Sequence, residues 1–147
     1  MISFSFKEYS MEFGTNHIYN CDTFNEMDPI SSDPDYIQET GKAIFEAMRG
    51  QDPNAVWMMQ GWLFRFGNFW HEPQIRAILS SVPRGKMVIL DLDSTFLDVY
   101  SKTNSFYGLQ PFIFNDLSNY GGSLGLYGRF GTINEKPFEV GIFCFFP

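Results

Sequence analysis

Apolar residues along the chain are grouped into short continuous runs, which alternate with longer stretches where apolar and polar residues mix. Four of the runs predict β-strands, because they are short, rich in β-branched or aromatic residues and bounded by polar residues or turn signals. These runs occupy residues 17–24, 55–59, 86–90 and 111–114. The first of them stops at a polar cluster before Pro29, a residue that cannot donate to a β-ladder.

Two of the mixed stretches predict helices. The first covers residues 34–50, because Asp33, a capping residue, precedes a proline suited to the first helical turn. We expect Gly41 to weaken this helix, since glycine is a poor helix former. The second covers residues 72–82 and ends at Pro83. Its apolar residues recur at the i, i+3, i+4, i+7 spacing of a helix face: Ile75, Ile78, Leu79 and Val82.

The alternation of strands and helices predicts an α/β fold with a parallel sheet, in which continuous apolar strands are buried on both faces. The polar strand ends recur about every thirty residues, a spacing typical of a (β/α)8 TIM barrel, where eight units share roughly 250 residues. These ends fall near Glu26, Trp62, Asp91 and Tyr120. We therefore predict a partial TIM barrel of about four consecutive βα units. A small open doubly wound sheet is the alternative that the pattern leaves open.

Length and charge narrow the classes of function. The 147 residues correspond to one domain or to a piece of a larger one. With 10 Lys and Arg against 17 Asp and Glu, the net charge of -7 would repel a phosphate backbone, so we expect no nucleic-acid partner. No apolar run approaches the roughly 18 residues of a membrane-spanning helix, and the first residues lack a secretory signal pattern, so we expect no membrane insertion. Cys21 and Cys144 allow at most one disulfide.

The first candidate for chemistry is the pair Asn25 and Glu26, at the end of the first predicted strand. A glycosidase needs a carboxylic acid that protonates the leaving oxygen, and a second carboxylate roughly 5–5.5 Å away if configuration is retained. Glu26 fits the acid, since Asp22 and Asp28 lie near it in sequence and would raise its pKa by like-charge proximity. The Asn25 amide would hold a sugar hydroxyl. A solvated loop carboxylate without catalytic function remains the alternative.

The second candidate is the sequence DLDST, in which Asp91 and Asp93 follow the apolar run MVIL. This local pattern resembles the motif that opens haloacid-dehalogenase-like, magnesium-dependent phosphatases, in which the first Asp is the nucleophile and the second an acid/base. That family also needs a downstream Ser or Thr, a Lys and a late acidic pair. After Thr95 the chain offers only isolated carboxylates. A structural role, in which the two Asp residues cap and solvate a strand end, is equally open.

Several long blocks of sequence resemble, in order, the catalytic barrel of the alpha-N-acetylglucosaminidases, glycoside hydrolase family 89. They are EFGTNHIYNCDTFNEMDPISSDPDYI, AVWMMQGWLF, FWHEPQIRAILSSVPRGKMVILDL, QPFIF and NYGGSLGLYG. The resemblance implies that residues 1–128 are part of a TIM-barrel domain and that residues 129–147 form a divergent tail. It also makes MVILDL a barrel strand, so the phosphatase-like motif is interpreted as coincidence.

The resemblance implies a retaining hydrolase that removes terminal alpha-linked N-acetylglucosamine, as at the end of heparan sulfate, without a metal or cofactor. It further implies a lysosomal or secreted enzyme. The general acid/base maps to Glu26, and Asn25 would contact the sugar. Trp62 of the QGW block would line the sugar pocket, while Leu92 and Tyr120 fall at pocket-wall positions. The remaining tryptophans are interpreted as core residues: Trp57 and Trp70.

The chain also departs from this family. The family's nucleophile is a Glu in a Met-x-Pro-Glu-Gly-type segment, and neither Glu135 nor Glu139 matches it. We therefore expect an incomplete chain that is inactive alone, with uncovered barrel strands that favour self-association. A non-catalytic sugar-binding remnant is a third hypothesis that the sequence leaves open.

Overall fold

A computed structural model describes residues 2–24, 27–65, 67–91, 99–114, 117–120 and 123–126. The helices of this part are α1 (Ile2–Phe13), α2 (Pro34–Arg49), α3 (Glu72–Ser80) and α4 (Val99–Lys102). The strands are β1 (Ile18–Asn20), β2 (Val56–Gln60), β3 (Met87–Asp91), β4 (Phe112–Phe114), β5 (Leu117–Tyr120) and β6 (Ser123–Leu126). Short 3₁₀ turns occupy Trp62–Arg65 and Phe106–Gly108.

Four strands form one parallel sheet in the order β1-β2-β3-β4, which is also their order along the chain. The strand order of a doubly wound sheet reverses at a switch point, and no reversal occurs among these four strands. A (β/α) barrel adds each strand beside the preceding one, as observed here. The partial TIM barrel is therefore confirmed, and the doubly wound alternative is wrong.

One face of the sheet is covered by helices. Trp57 pairs in register with Tyr19 on one side and with Met87 on the other, and all three belong to the buried core. Apolar residues of α2 and α3 complete this core, among them Ile37, Ile44, Phe45, Met48, Ile75, Ile78 and Leu79. Trp57 is fully buried and Trp70 nearly so, which confirms their interpretation as core residues.

The opposite face carries the alternate residues of the same strands, because successive side chains of a strand point to opposite faces. Met58 pairs in register with Val88, and Gln60 with Leu90. In a closed barrel this face is the packed interior. Here most of its residues are only partly buried, and Ile113 remains 37% exposed. The four strands thus present an apolar face that the described residues cover incompletely.

The strand and helix bounds agree with the sequence predictions to within two residues, except for the first strand. This strand was predicted over residues 17–24, but β1 ends at Asn20. Besides the short helix α4, two elements had not been predicted. Helix α1 ends before Gly14, whose φ of 81° suits glycine. The second is the antiparallel hairpin of β5 and β6, which forms a separate two-stranded sheet.

The connection between β3 and β4 contains an unusual left-handed turn. Residues 104–108 all have positive φ values, between 48° and 66°. Left-handed conformations cost non-glycine residues roughly 1–2 kcal/mol each, so this turn must be held by its surroundings. The Phe106 side chain is fully buried, and its amide donates to the Thr103 hydroxyl at 3.1 Å. Core packing of one aromatic ring thus stabilises a strained segment.

Gly41 permits close packing of α2 against α3, which corrects the expectation that it only weakens its helix. A Cβ atom at this position would lie 2.8 Å from Ile78 Cδ1 and would also clash with the Ser81 side chain. Distances this short do not occur between real side chains, so the two helices approach as closely as they do only because residue 41 has no side chain.

Asp52 joins two loops at the amino-terminal edge of the sheet. Its carboxylate is fully buried and accepts hydrogen bonds from the His17 amide at 2.9 Å, the Asn54 amide at 3.0 Å and the Tyr19 hydroxyl at 3.1 Å. Burial alone would raise the pKa of Asp52, but the hydrogen bonds from these donors and the Asn16 amide outweigh it and lower the pKa below its usual value. In TIM barrels, residues at this edge typically serve stability.

We predict that Gly41→Ala destabilises the chain by about 1–3 kcal/mol, because overpacking exceeds the gain of about 1 kcal/mol in helix propensity. Urea unfolding would measure the change. Gly67→Ala is the matched control, since an added methyl group there has no neighbour within 4 Å, and its effect should stay within about 0.5 kcal/mol. A stability of Gly41→Ala equal to that of the parent would contradict the close helix packing.

We predict that Asp52→Asn lowers the free energy of unfolding by about 1–3 kcal/mol at pH 7, because an amide cannot accept all the hydrogen bonds of the carboxylate. The folded-state pKa of Asp52 lies below its unfolded value, so its stabilisation is present above about pH 4 and is lost as the pH falls through the folded-state pKa. The parent and variant should therefore converge in acid. Urea unfolding at pH 7 and pH 3, with the exposed Asp28→Asn as control, would contradict this if the difference were independent of pH.

Candidate functional site

The candidate site lies at the carboxyl-terminal edge of the parallel sheet. β1, β2 and β3 end at this edge with Asn20, Gln60 and Asp91. Active sites of TIM barrels are built from the loops that begin there. Of the predicted site residues, Asn25, Glu26 and Leu92 lie outside the residues that the structure describes, so their roles remain predictions.

Hydrogen bonds attach the first of these loops, which follows β1, to β2. The Cys21 amide donates to the Met58 carbonyl at 3.2 Å, and the Trp57 indole N–H donates to the Cys21 carbonyl at 2.7 Å. Asp22 Oδ1 accepts a hydrogen bond from the Gln60 amide at 3.1 Å. These bonds explain why β1 is shorter than predicted. In a regular parallel ladder the Gln60 amide would donate to the Cys21 carbonyl. Here the Trp57 indole donates to that carbonyl, and the Gln60 amide donates to the Asp22 side chain instead.

Phe24 directly precedes the predicted catalytic pair and has a strained backbone, with φ at 66°. Its ring packs against Trp70, with the ring centroids 6.1 Å apart. Trp70 also contacts Phe64 and Phe69, at centroid distances of 5.6 Å and 5.2 Å, so an aromatic cluster links the first and second loops. Strained residues cost roughly 1–3 kcal/mol and concentrate at functional sites, where the surrounding structure holds them.

Trp62 follows β2 directly and is half-buried in a 3₁₀ turn. Its position depends on Gly61, whose amide donates to the Leu90 carbonyl at 2.8 Å. A Cβ atom on residue 61 would lie 2.8 Å from Ile89 Cγ2, so only glycine allows this approach to β3. The Arg65 guanidinium lies 5.1 Å from the centroid of the Trp62 ring. A partly exposed indole held in this way suits stacking against the apolar face of a sugar ring.

Tyr120 occupies a different place from the one expected. The sheet strand β4 ends at Phe114, and Tyr120 is the last residue of β5, opposite Ser123 in the hairpin. The prediction that Tyr120 marks a strand end of the parallel sheet is therefore wrong. Its role at the pocket wall remains a prediction.

Asp91 is fully buried, which contradicts the expectation of a solvated strand-end carboxylate. It alternates with Ile89 and Met87 along β3, and both of these belong to the core under the helices. A carboxylate on that face is not accessible as a nucleophile. Asp93 lies outside the described residues. Together with the strand order, the burial of Asp91 leaves the phosphatase hypothesis without support.

Sequence reasoning missed three features of this edge. The hydrogen bond from Gln60 to Asp22 and the strain at Phe24 had no sequence signal, because Asp is common in loops and Phe does not favour positive φ. The contact between Trp62 and Arg65 did have a sequence signal, since the two residues are three apart in a single turn.

Within the described residues, no helix combines the length and apolar character needed to cross a membrane.

Comparison with known proteins gives two matches. The family described as "Alpha-N-acetylglucosaminidase (NAGLU) tim-barrel domain" matches residues 2–142. The alpha-N-acetylglucosaminidase of Homo sapiens is 48% identical over 138 residues, which is 93% of this chain and 18% of the human protein. The chain therefore spans less than a fifth of the length of this relative.

Proposed function

The chain belongs to the alpha-N-acetylglucosaminidase family, as a segment of its TIM-barrel domain, and from this premise we propose that it carries the acid side of a retaining glycosidase site. The proposed substrate is a glycan with terminal alpha-linked N-acetylglucosamine, such as heparan sulfate, and the proposed location is lysosomal or secreted. The observation that supports this most is the 48% identity over nearly the whole chain.

The proposed chemistry assigns one role to each residue. Glu26 is the general acid/base that protonates the glycosidic oxygen and later activates water. Asn25 binds a sugar hydroxyl, and the indole of Trp62 stacks on the apolar face of the pyranose. Leu92 and Tyr120 complete the pocket wall. The fastening of the first loop to β2 and the strain at Phe24 support this proposal, because an acid needs a rigid attachment to act.

The reaction also requires a second carboxylate about 5–5.5 Å from the acid, and by the family resemblance this chain does not contain it. We therefore propose that the 147-residue chain alone is inactive. Residues 1–128 are its proposed barrel segment and residues 129–147 its proposed divergent tail, although the family match continues to residue 142. The partly exposed apolar face of the sheet supports self-association.

A second candidate function is sugar binding without catalysis. It is favoured by the half-buried Trp62, whose position depends on Gly61 and the flanking hydrogen bonds of β2 and β3 rather than on any catalytic group. Both candidates include binding of N-acetylglucosamine, and they differ in whether Glu26 acts as an acid/base once the second carboxylate of the site is supplied.

We predict that the purified chain does not hydrolyse an aryl alpha-N-acetylglucosaminide, because loss of one member of a catalytic pair costs several orders of magnitude in rate. Release of the aryl alcohol would be followed by absorbance. Turnover that disappears in Glu26→Gln would contradict the proposed inactivity and would show that the chain itself supplies a complete site.

We predict that Trp62→Ala weakens binding of N-acetylglucosamine by about tenfold or more, equivalent to about 1.4 kcal/mol, because the stacking surface is removed. Calorimetric titration would measure the affinity. Phe13→Ala is the matched control, since Phe13 is an aromatic residue with 60% exposure at the end of α1, which precedes β1 at the amino-terminal edge of the sheet. Equal affinities of the parent and Trp62→Ala would exclude the indole from the sugar site.

A further inference from the structure

We propose that Asp22 is a positioning residue, which fixes the direction in which the chain enters the acid-bearing segment at residues 25 and 26. The proposal rests on the proposed function, because it takes Glu26 as the acid. It assigns to Asp22 a hydrogen-bonding role rather than the like-charge effect on the pKa of Glu26 that the sequence suggested.

Asp22 takes the place of a main-chain acceptor in the ladder of β1 and β2. In a regular ladder, the amides of β2 that point towards β1 donate to main-chain carbonyls. The Val56 amide does so to the His17 carbonyl at 3.2 Å. At Gln60 the acceptor is instead Asp22 Oδ1, at 3.1 Å. A side-chain acceptor satisfies the amide of β2 while the main chain of the first loop leaves the sheet. Among the described residues of this loop, Asp22 is therefore the last one attached to the β2 ladder.

The next attachment of this loop follows Asp22 closely along the chain. Two residues after Asp22, the backbone turns into the left-handed region at Phe24, and the Phe24 ring packs on the buried Trp70. The chain between these two attachments contains one residue, Thr23, whose hydroxyl lies 3.6 Å from Cys21 Sγ. Residues 25 and 26 follow directly. Catalytic groups need placement within roughly 0.5 Å, which two successive attachments can provide and a free loop cannot.

Two substitutions distinguish the two possible roles of the Asp22 carboxylate, hydrogen bonding and charge. An Asn at position 22 keeps an oxygen in the place of Oδ1 and removes the charge, so it preserves a hydrogen-bonding role and abolishes a charge role. A Glu keeps the charge and moves the carboxylate by one methylene group, so it has the opposite effect. Asp22→Asn and Asp22→Glu therefore give opposite results under the two hypotheses.

The test is amide hydrogen exchange of the full 147-residue chain, read at the Gln60 amide, which donates to Asp22, and at the Cys21 amide, which donates to the Met58 carbonyl. Asp22→Ala and Asp22→Glu should speed exchange there about tenfold or more, while Asp22→Asn should stay within about threefold of the parent. Asp33→Ala is the matched control. It also removes a hydrogen bond that an amide donates to a carboxylate, that of the Asp35 amide to Asp33 Oδ1 at 3.0 Å, but at the start of α2. It should leave the exchange of the Cys21 and Gln60 amides unchanged.

The same variants are titrated with N-acetylglucosamine, and affinity should fall in Asp22→Ala and Asp22→Glu and be retained in Asp22→Asn. Rescue by Glu instead of Asn would overturn the hydrogen-bonding role. Equal acceleration at the Cys21 and Gln60 amides in Asp33→Ala would overturn the positioning role in favour of a general loss of stability. If the parent binds no sugar but the exchange pattern is as expected, the proposed function fails and the attachment by Asp22 is supported. Asp22→Glu decides the exchange test if Asp22→Ala does not fold.

Discussion

The pairing of β2 with both of its neighbours determines the packing of the core and the course of the first loop. Trp57 and Met59 of this strand face the helices and are almost completely buried. Its main chain bonds to β1 on one side and β3 on the other. Because the indole of Trp57 also binds the Cys21 carbonyl, the same residue that anchors the core determines where β1 ends and where the first loop begins. Core packing and loop geometry thus have a common origin.

The two edges of the sheet have different physical characters. At the amino-terminal edge, the buried carboxylate of Asp52 is fully engaged by main-chain amides and the Tyr19 hydroxyl, an arrangement that stabilises and leaves little capacity for a ligand. At the carboxyl-terminal edge, strain at Phe24 and a partly exposed Trp62 occur in successive loops. This division matches that of TIM barrels, where stability and function are separated between the two ends of the strands.

The sequence predicted the elements whose signals are local. The capping residue Asp33 accepts a hydrogen bond from the Asp35 amide as its position before proline suggested, and the apolar strands β2 and β3 were located to within a residue. Features that depend on tertiary contacts were not predictable. Gly41 is required because Ile78 of α3 and Ser81, which directly follows α3, leave no room for a side chain at residue 41. The burial of Asp91 follows from which face of β3 the helices cover. Asn25 and Glu26 were identified by resemblance to a family, and their roles remain predictions.

The proposed function requires that the carboxyl-terminal edge of this partial barrel bind a sugar. Titration of the isotopically labelled chain with N-acetylglucosamine, followed by amide chemical shifts, tests this requirement. We predict that the largest shift changes occur at residues 21–24 and in the Trp62–Arg65 turn, with little change around Asp52. Shift changes centred on the amino-terminal edge, or none at saturating sugar, would contradict it.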